Sequence, residues 1–407
     1  MRSIKTNSIL RSLLLGFLLL FALCPSVFLS HQVAAQQQTN QQRPRRVNGA
    51  QPQPSTTSPA AEEVDEGDVV RVDTQLVSVP AIVTNKDGQP LSDLRRENFV
   101  VYEDGQPQTL ANFGTTETPF EIALLLDTSG STRDDVALIR QAANAFIDAL
   151  RAGDRVAVEA FNTADDGDKK IASVEVLAQL TGDRKTLRQA IENLGASNGT
   201  PFYDALEKVI SEIFRQAAPE ETRGRRAVVA LTDGVDSSSN SDFAAAKAKL
   251  IAAGVATYFI QVNTEDFVED RLMKDCQDDG RLSLSQKQLE RYRRIFVPAA
   301  SRDDYANFCQ MGPFERMSIS RELYNLARRE MNDLARASGG KNFLAVSLQD
   351  ARAAFARVAA DIGTQYSLGY YPSNKARDGK FRAIRVDVRG VKEKATVRAR
   401  EGYYAPK

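Results

Sequence analysis

Short apolar runs alternate with stretches of helical periodicity through the middle of this chain. Residues 121–127 read as a strand, and Arg133–Arg151 follows with Val136, Ile139, Ala143, Phe146 and Leu150 at helical spacing. Arg155–Asn162 and Ser173–Leu180 read as a β-hairpin, and Arg184–Leu194 and Pro201–Ala217 as helices. A second apolar strand spans 226–232. The Ala-rich helix 241–253 stops at Gly254, a residue suited to a left-handed cap, and strand 255–263 follows. After an insertion at about 265–318 come helix 320–337, strand 342–346 and helix 349–362. This alternation predicts an α/β fold with a doubly wound, mostly parallel sheet over 118–363.

The flanks carry a different pattern. From Val69 onward, short alternating stretches, Val70–Thr74, Leu76–Val83 and Phe99–Tyr102, are broken by Asp87-Gly88 and Asp104-Gly105, pairs that favour tight turns. A similar β-rich piece at the far end holds Gln365–Tyr371, Phe381–Val388 and Ala395–Arg400. Segments 67–117 and 364–407, each marginal alone, are expected to pair into a small β-sandwich-like unit around the central domain. Tyr366, Tyr370, Tyr371, Tyr403 and Tyr404 read mostly as strand packing.

The N-terminus changes the chemistry available. Arg2, Lys5 and Arg11 precede an uncharged, Leu- and Phe-rich stretch, with Val33-Ala34-Ala35 as a cleavage site, so 1–35 reads as a secretory signal peptide. An uncleaved anchor is the alternative. Cleavage would remove the only histidine, His31, and with it any Ser-His-Asp triad, His-bound zinc or His base. Residues 36–66, rich in Gln, Pro, Ser and Thr, read as a disordered linker. With 42% apolar and 26% charged residues the 407-residue chain is otherwise ordinary and globular, and a net charge of +0 gives no footprint for nucleic acid. Cys276 and Cys309 remain in a compartment that permits disulfides; a bond between them would restrain the unfolded chain by roughly 3 kcal/mol, the alternative being two buried thiols.

The candidate chemistry lies where the first strand ends. Asp127, Ser129 and Ser131 stand at alternate positions, and oxygen donors so spaced suit a hard cation, magnesium or else calcium or manganese. Taken alone the string also fits helix capping. Thr200 precedes Pro201, and the second strand ends in Asp233 before Gly234. These five residues resemble the metal-ion-dependent adhesion site of the von Willebrand factor type A (vWA) family, a likeness extending over roughly Pro119–Gly363. In that family the serines coordinate directly, the Thr and aspartates bind directly or through water, and a partner's carboxylate fills the open position. The phrases Asp87-Gly88-Gln89-Pro90-Leu91, Glu103-Asp104-Gly105 and Leu368-Gly369-Tyr370-Tyr371-Pro372 are similar to those flanking the domain in secreted bacterial vWA-related proteins.

The resemblance implies a non-enzymatic module, secreted or in the periplasm or cell envelope, that captures Asp or Glu of a protein partner through a divalent cation. It has no nucleic-acid partner and no integral membrane segment after signal cleavage. A structural component with a stabilising metal is the alternative. A metal-dependent hydrolase is another, with Asp204 or Asp236 moving protons. Asp165-Asp166-Gly167-Asp168 lacks the spacing of an EF loop, and Gly339-Gly340-Lys341 closes a helix rather than opening one, opposite to a phosphate loop.

Overall fold

The computed structural model describes residues 76–407 except 131, 133, 134, 168, 220, 221, 273–283 and 393. The expected signal peptide, linker and strand at 70–74, together with Ser131 and Cys276, lie outside the described residues, and so does the pairing of Cys276 with Cys309.

The N-terminal flank contains β1 (Val77–Thr84), β2 (Phe99–Glu103), β3 (Gln106–Gln108) and β4 (Leu110–Gly114). The central part runs β5 (Glu121–Leu126), α1 (Val136–Ala149), β6 (Arg155–Asp166), β7 (Lys169–Thr181), α2 (Arg184–Glu192), α3 (Phe202–Lys208), β8 (Arg226–Thr232), α4 (Phe243–Ala253) and β9 (Ala256–Val262). It continues through α5 (Glu265–Leu272), α6 (Gln286–Phe296), α7 (Pro313–Ser338), β10 (Lys341–Ala345) and α8 (Ala351–Gly363). The far flank holds β11 (Tyr366–Tyr370), β12 (Phe381–Val388), β13 (Thr396–Ala399) and β14 (Gly402–Tyr404).

The six-stranded central sheet has the order β10-β9-β8-β5-β6-β7 and is parallel except for β7, which runs antiparallel to β6. Every residue of β5 is buried, as expected for a parallel strand covered on both faces. Ile122, Leu124 and Leu126 pack with Ile139 and Phe146 of α1 and Phe355 of α8, while Ala123 and Leu125 face Phe202 and Leu206 of α3 and Met331 and Leu334 of α7. From β5 the chain winds outward to β6 and β7, then returns to β8 on the other side. β5 and β8 are therefore neighbours across the switch in winding direction, in register from Glu121↔Arg226 to Leu126↔Leu231. The doubly wound α/β class read from the sequence holds.

Each flanking sheet combines strands from both ends: β13-β1-β11-β4 in one, β14-β12-β2-β3 in the other. They meet through Phe99, Phe113 and Tyr366, with the Phe99 and Tyr366 ring centroids 4.9 Å apart. Tyr366, Tyr370 and Tyr403 are buried, whereas Tyr371 and Tyr404 are exposed. Buried Glu103 accepts from Tyr370 Oη at 2.7 Å, Tyr403 Oη at 2.9 Å and Arg382 Nη1 at 3.2 Å, so its charge is fully satisfied. The same apolar core continues into the α3–α4–α7 face of the central sheet. The described residues belong to one compact unit.

Several boundaries differ from the sequence reading. The helix expected from 320 begins at Pro313, because Gly312 adopts an extended N-cap and proline is preorganised for the first helical position. The helix expected over Pro201–Ala217 passes into a π turn at Val209–Ile213 and stops there. The one expected over Arg133–Arg151 ends at Ala149, since Leu150 is already extended. Leu272, Leu284, Leu289, Phe308 and Met311 of the insertion build a small separate core with Ile319 and Leu323 of α7. Among the described residues, no helix is long and apolar enough to cross a membrane.

Candidate functional site

β5 and β8 both end in an aspartate at the edge of the sheet where open α/β folds bind ligands. Asp127 N–H extends the ladder, donating to the Leu231 carbonyl at 3.0 Å. Beyond it the chain turns sharply: Ser129 N–H donates to Asp127 Oδ1 at 2.9 Å and Thr132 Oγ1 donates to the Asp127 carbonyl at 2.9 Å. Thr232 Oγ1 donates to Asp127 Oδ2 at 2.6 Å, so each carboxylate oxygen accepts one bond from a fixed donor.

Asp233 is held in a parallel way. Val235 N–H donates to Oδ1 at 3.0 Å and Thr264 Oγ1 to Oδ2 at 2.7 Å. Tyr324 Oη lies 2.7 Å from Thr264 Oγ1; with the threonine proton given to the carboxylate, the tyrosine donates to the threonine. Gly234 has φ of +78°, and a Cβ there would stand 2.4 Å from Met331 Cε, so only glycine turns the chain here. Thr200 comes from a third loop. Its N–H donates to Ser237 Oγ at 2.8 Å, and Ser197 N–H donates to the Thr128 carbonyl at 3.0 Å, tying the three loops together.

The structure thus brings Asp127, Ser129, Thr200 and Asp233 together. Ser129, Thr200 and Asp233 line one pocket, and Asp127 adjoins it through Ser129. Both aspartates are buried, at 1% and 3% exposure. Burial, and then the charge of Asp233, push the Asp127 carboxyl up to about 7, against the pull of the bonds from Ser129 and Thr232. Ser129 Oγ is buried and has no hydrogen-bond partner among the described residues, although it lies close enough to Asp127 to favour its ionised form. An orphaned buried hydroxyl next to two crowded carboxylates is an unfavourable arrangement without a cation and a favourable one with it. The residues therefore fit a divalent ion: Asp127, Ser129, Thr200 and Asp233 would hold it, as hard oxygen donors whose two carboxylates balance its charge. Among the described residues no group of three or more His, Cys, Asp or Glu could hold a metal, so hydroxyls must complete this donor set.

Sequence reasoning missed Thr232, Thr264 and Tyr324, which orient the two carboxylates. Asp204 and Asp236 sit off the site and are engaged by backbone: Asp204 accepts from the amides of Asn240 and Ser241, Asp236 from those of Tyr203 and Ser239. Burial pushes Asp236 up to about 6.

Residues 121–287 match the family model of the von Willebrand factor type A domain. The chain is similar in structure to a von Willebrand factor type A protein from Catenulispora acidiphila, at 14% identity over 82% of this chain and 74% of that one, with a TM-score of 0.39. It is also similar to the conserved hypothetical protein BatB from Bacteroides thetaiotaomicron, at 15% identity over 60% of this chain and 98% of that one, TM-score 0.36. For proximal thread matrix protein 1 from the mussel byssus the values are 14%, 61%, 48% and 0.36. No curated protein matches the chain. Residues 121–287, the segment that opens at β5 and carries both strand-end aspartates, are by this match a von Willebrand factor type A domain.

Proposed function

We propose that this chain is a secreted or envelope-associated binding module that captures an acidic side chain of a protein partner through a divalent cation, magnesium first. Asp127, Ser129, Thr200 and Asp233 are the ligands, with Ser131 supplied by the sequence pattern as the fifth. The observation that carries this reading is the unpartnered, buried Ser129 hydroxyl beside two buried carboxylates at the switch between β5 and β8. Two carboxylates neutralise a divalent ion without enclosing it, and magnesium keeps exchangeable water where protein ligands are few. An incoming Asp or Glu takes the place of one such water.

A non-catalytic role is supported by the engagement of Asp204 and Asp236 with backbone amides, which leaves neither poised to move a proton. Capture from envelope extract, with and without EDTA, tests the proposal. Magnesium-dependent retention of a defined partner that disappears with chelator and in Asp127→Ala is the expected result. A metal that raises thermal stability but creates no partner affinity would replace it with a purely structural role, and turnover on a phosphoester panel would replace it with a hydrolase.

A further inference from the structure

Resting on the metal-dependent reading above, the insertion adds a second element to the site. The pocket at Ser129, Thr200 and Asp233 is not an open patch: α5, α6 and the first half of α7 wall it, through Leu272, Leu284, Gln288, Ser320, Leu323 and Tyr324. Its volume is about 190 Å³, below the 300–1,000 Å³ typical of small-molecule sites and on the scale of one side chain. The walls are fixed to the loops that carry the candidate ligands. Ser285 Oγ donates to the Ser237 carbonyl at 2.6 Å, and Lys287 Nζ donates to the Ser238 carbonyl at 2.7 Å and the Ser239 carbonyl at 2.9 Å. Arg328–Glu265 at 2.9 Å and the Arg321–Glu269 pair join α7 to α5. The cavity is therefore preformed.

Its lining has two characters. Leu272, Leu284 and Leu323 offer an apolar sleeve. The polar groups on the same wall are committed elsewhere, with one exception: Tyr324 Oη donates to Thr264, and Ser285 and Gln288 bond each other in a capping box. The exception is Ser320. A helical serine usually returns its hydroxyl to the carbonyl one turn back or to water, yet Ser320, at 1% exposure, has a buried Oγ with no partner among the described residues. Two buried hydroxyls without a partner among the described residues thus line this pocket, Ser129 on the candidate metal-binding loop and Ser320 on α7.

We propose that α5, α6 and α7 make this site a socket for a single carboxylate on a slender, methylene-like stem, with Ser320 as its specificity-determining donor. One carboxylate oxygen meets the cation, the other accepts from Ser320 Oγ, and the stem lies against Leu272, Leu284 and Leu323. A glutamate side chain, a free peptide C-terminus and a small dicarboxylate share this chemistry.

Calorimetry on the full chain tests this in two stages, magnesium alone and then three probes on the magnesium-loaded protein: glutarate, a capped peptide with a central Glu, and a peptide with a blocked N-terminus and free C-terminal carboxylate. At least one probe binds the wild type, and which one binds identifies the source of the carboxylate. Ser320→Ala weakens that binding about tenfold, the effect of one hydrogen bond to a charged group, and leaves magnesium affinity unchanged. Ser320→Met, which fills the socket, abolishes carboxylate binding while magnesium still binds, and Ser320→Thr retains it. If magnesium binds and no probe does, or if Ser320→Ala and Ser320→Met bind the probe like wild type, the socket is wrong. Absence of magnesium binding in the wild type overturns the metal reading itself.

Discussion

Glu159 offers a sharp test of the energetics of the central sheet. It lies in β6, opposite Leu125 of β5, on the face that carries Ala157 and Phe161 into the core, and it is fully buried. Neither carboxyl oxygen has a hydrogen-bond partner among the described residues. Burial drives its pKa well above the ordinary value, and the nearby Lys208 does not reverse this, because its ammonium is paired with Glu212 at 3.0 Å. In the folded state the group therefore holds its proton at pH values where the unfolded chain, with a pKa of about 4.3, has lost it. The folded state binds more protons, so stability falls as pH rises through this window, by up to about 1.4 kcal/mol per pH unit. Glu159→Met, an unbranched and adaptable replacement, removes both this penalty and the orphaned carboxyl, which costs about 1–3 kcal/mol on its own. Urea denaturation in EDTA at pH 5, 6 and 7, read by circular dichroism, compares the two proteins; other titrating groups cancel in the difference. The variant should be the more stable at pH 7, and its advantage should grow by up to about 2.7 kcal/mol between pH 5 and pH 7. A variant less stable than wild type at pH 7, or a difference that stays flat with pH, would refute the reasoning.

Three further outcomes follow from the same geometry. Tyr324→Phe leaves Thr264 without its donor and Asp233 less firmly oriented, so magnesium affinity by calorimetry falls about tenfold or more. Arg400, buried and with no carboxylate partner among the described residues, donates to the carbonyls of Ser78, Ile251 and Gly402 and so joins the flanking strands to α4; Arg400→Met strands those carbonyls and lowers stability in urea by about 2–4 kcal/mol. Magnesium at about a hundred times its dissociation constant stabilises the wild type by about 2.7 kcal/mol; scanning calorimetry should show the melting temperature raised, the rise reversed by EDTA, and no rise in Asp127→Ala.

The two aspartates were legible because β5 and β8 are buried on both faces. Such strands read as unbroken apolar runs, and the acidic residue closing each run, Asp127 directly after β5 and Asp233 one position after Thr232, marks the binding edge of the sheet. Tyr324 was not legible: within α7 it falls on the apolar stripe with Leu323 and Ala327 and reads as core, and only tertiary packing directs its hydroxyl to Thr264. The start of α7 was hidden because Phe314 points outward at 72% exposure and breaks the helical pattern. β3, Gln106-Pro107-Gln108, has no apolar alternation; the turn at Asp104 and Gly105, both with positive φ, folds it against β2. The cap over the site was visible as an insertion, but its position followed from contacts between segments far apart in sequence, such as Ser285 with Ser237.

The most direct test of the account is the position of the ion itself. Crystals soaked in manganese, which gives an anomalous signal at such sites, should show a single strong peak within about 2.5 Å of oxygens from Ser129 and at least one of Asp127, Thr200 and Asp233. A peak elsewhere, or none at saturating manganese, would contradict it.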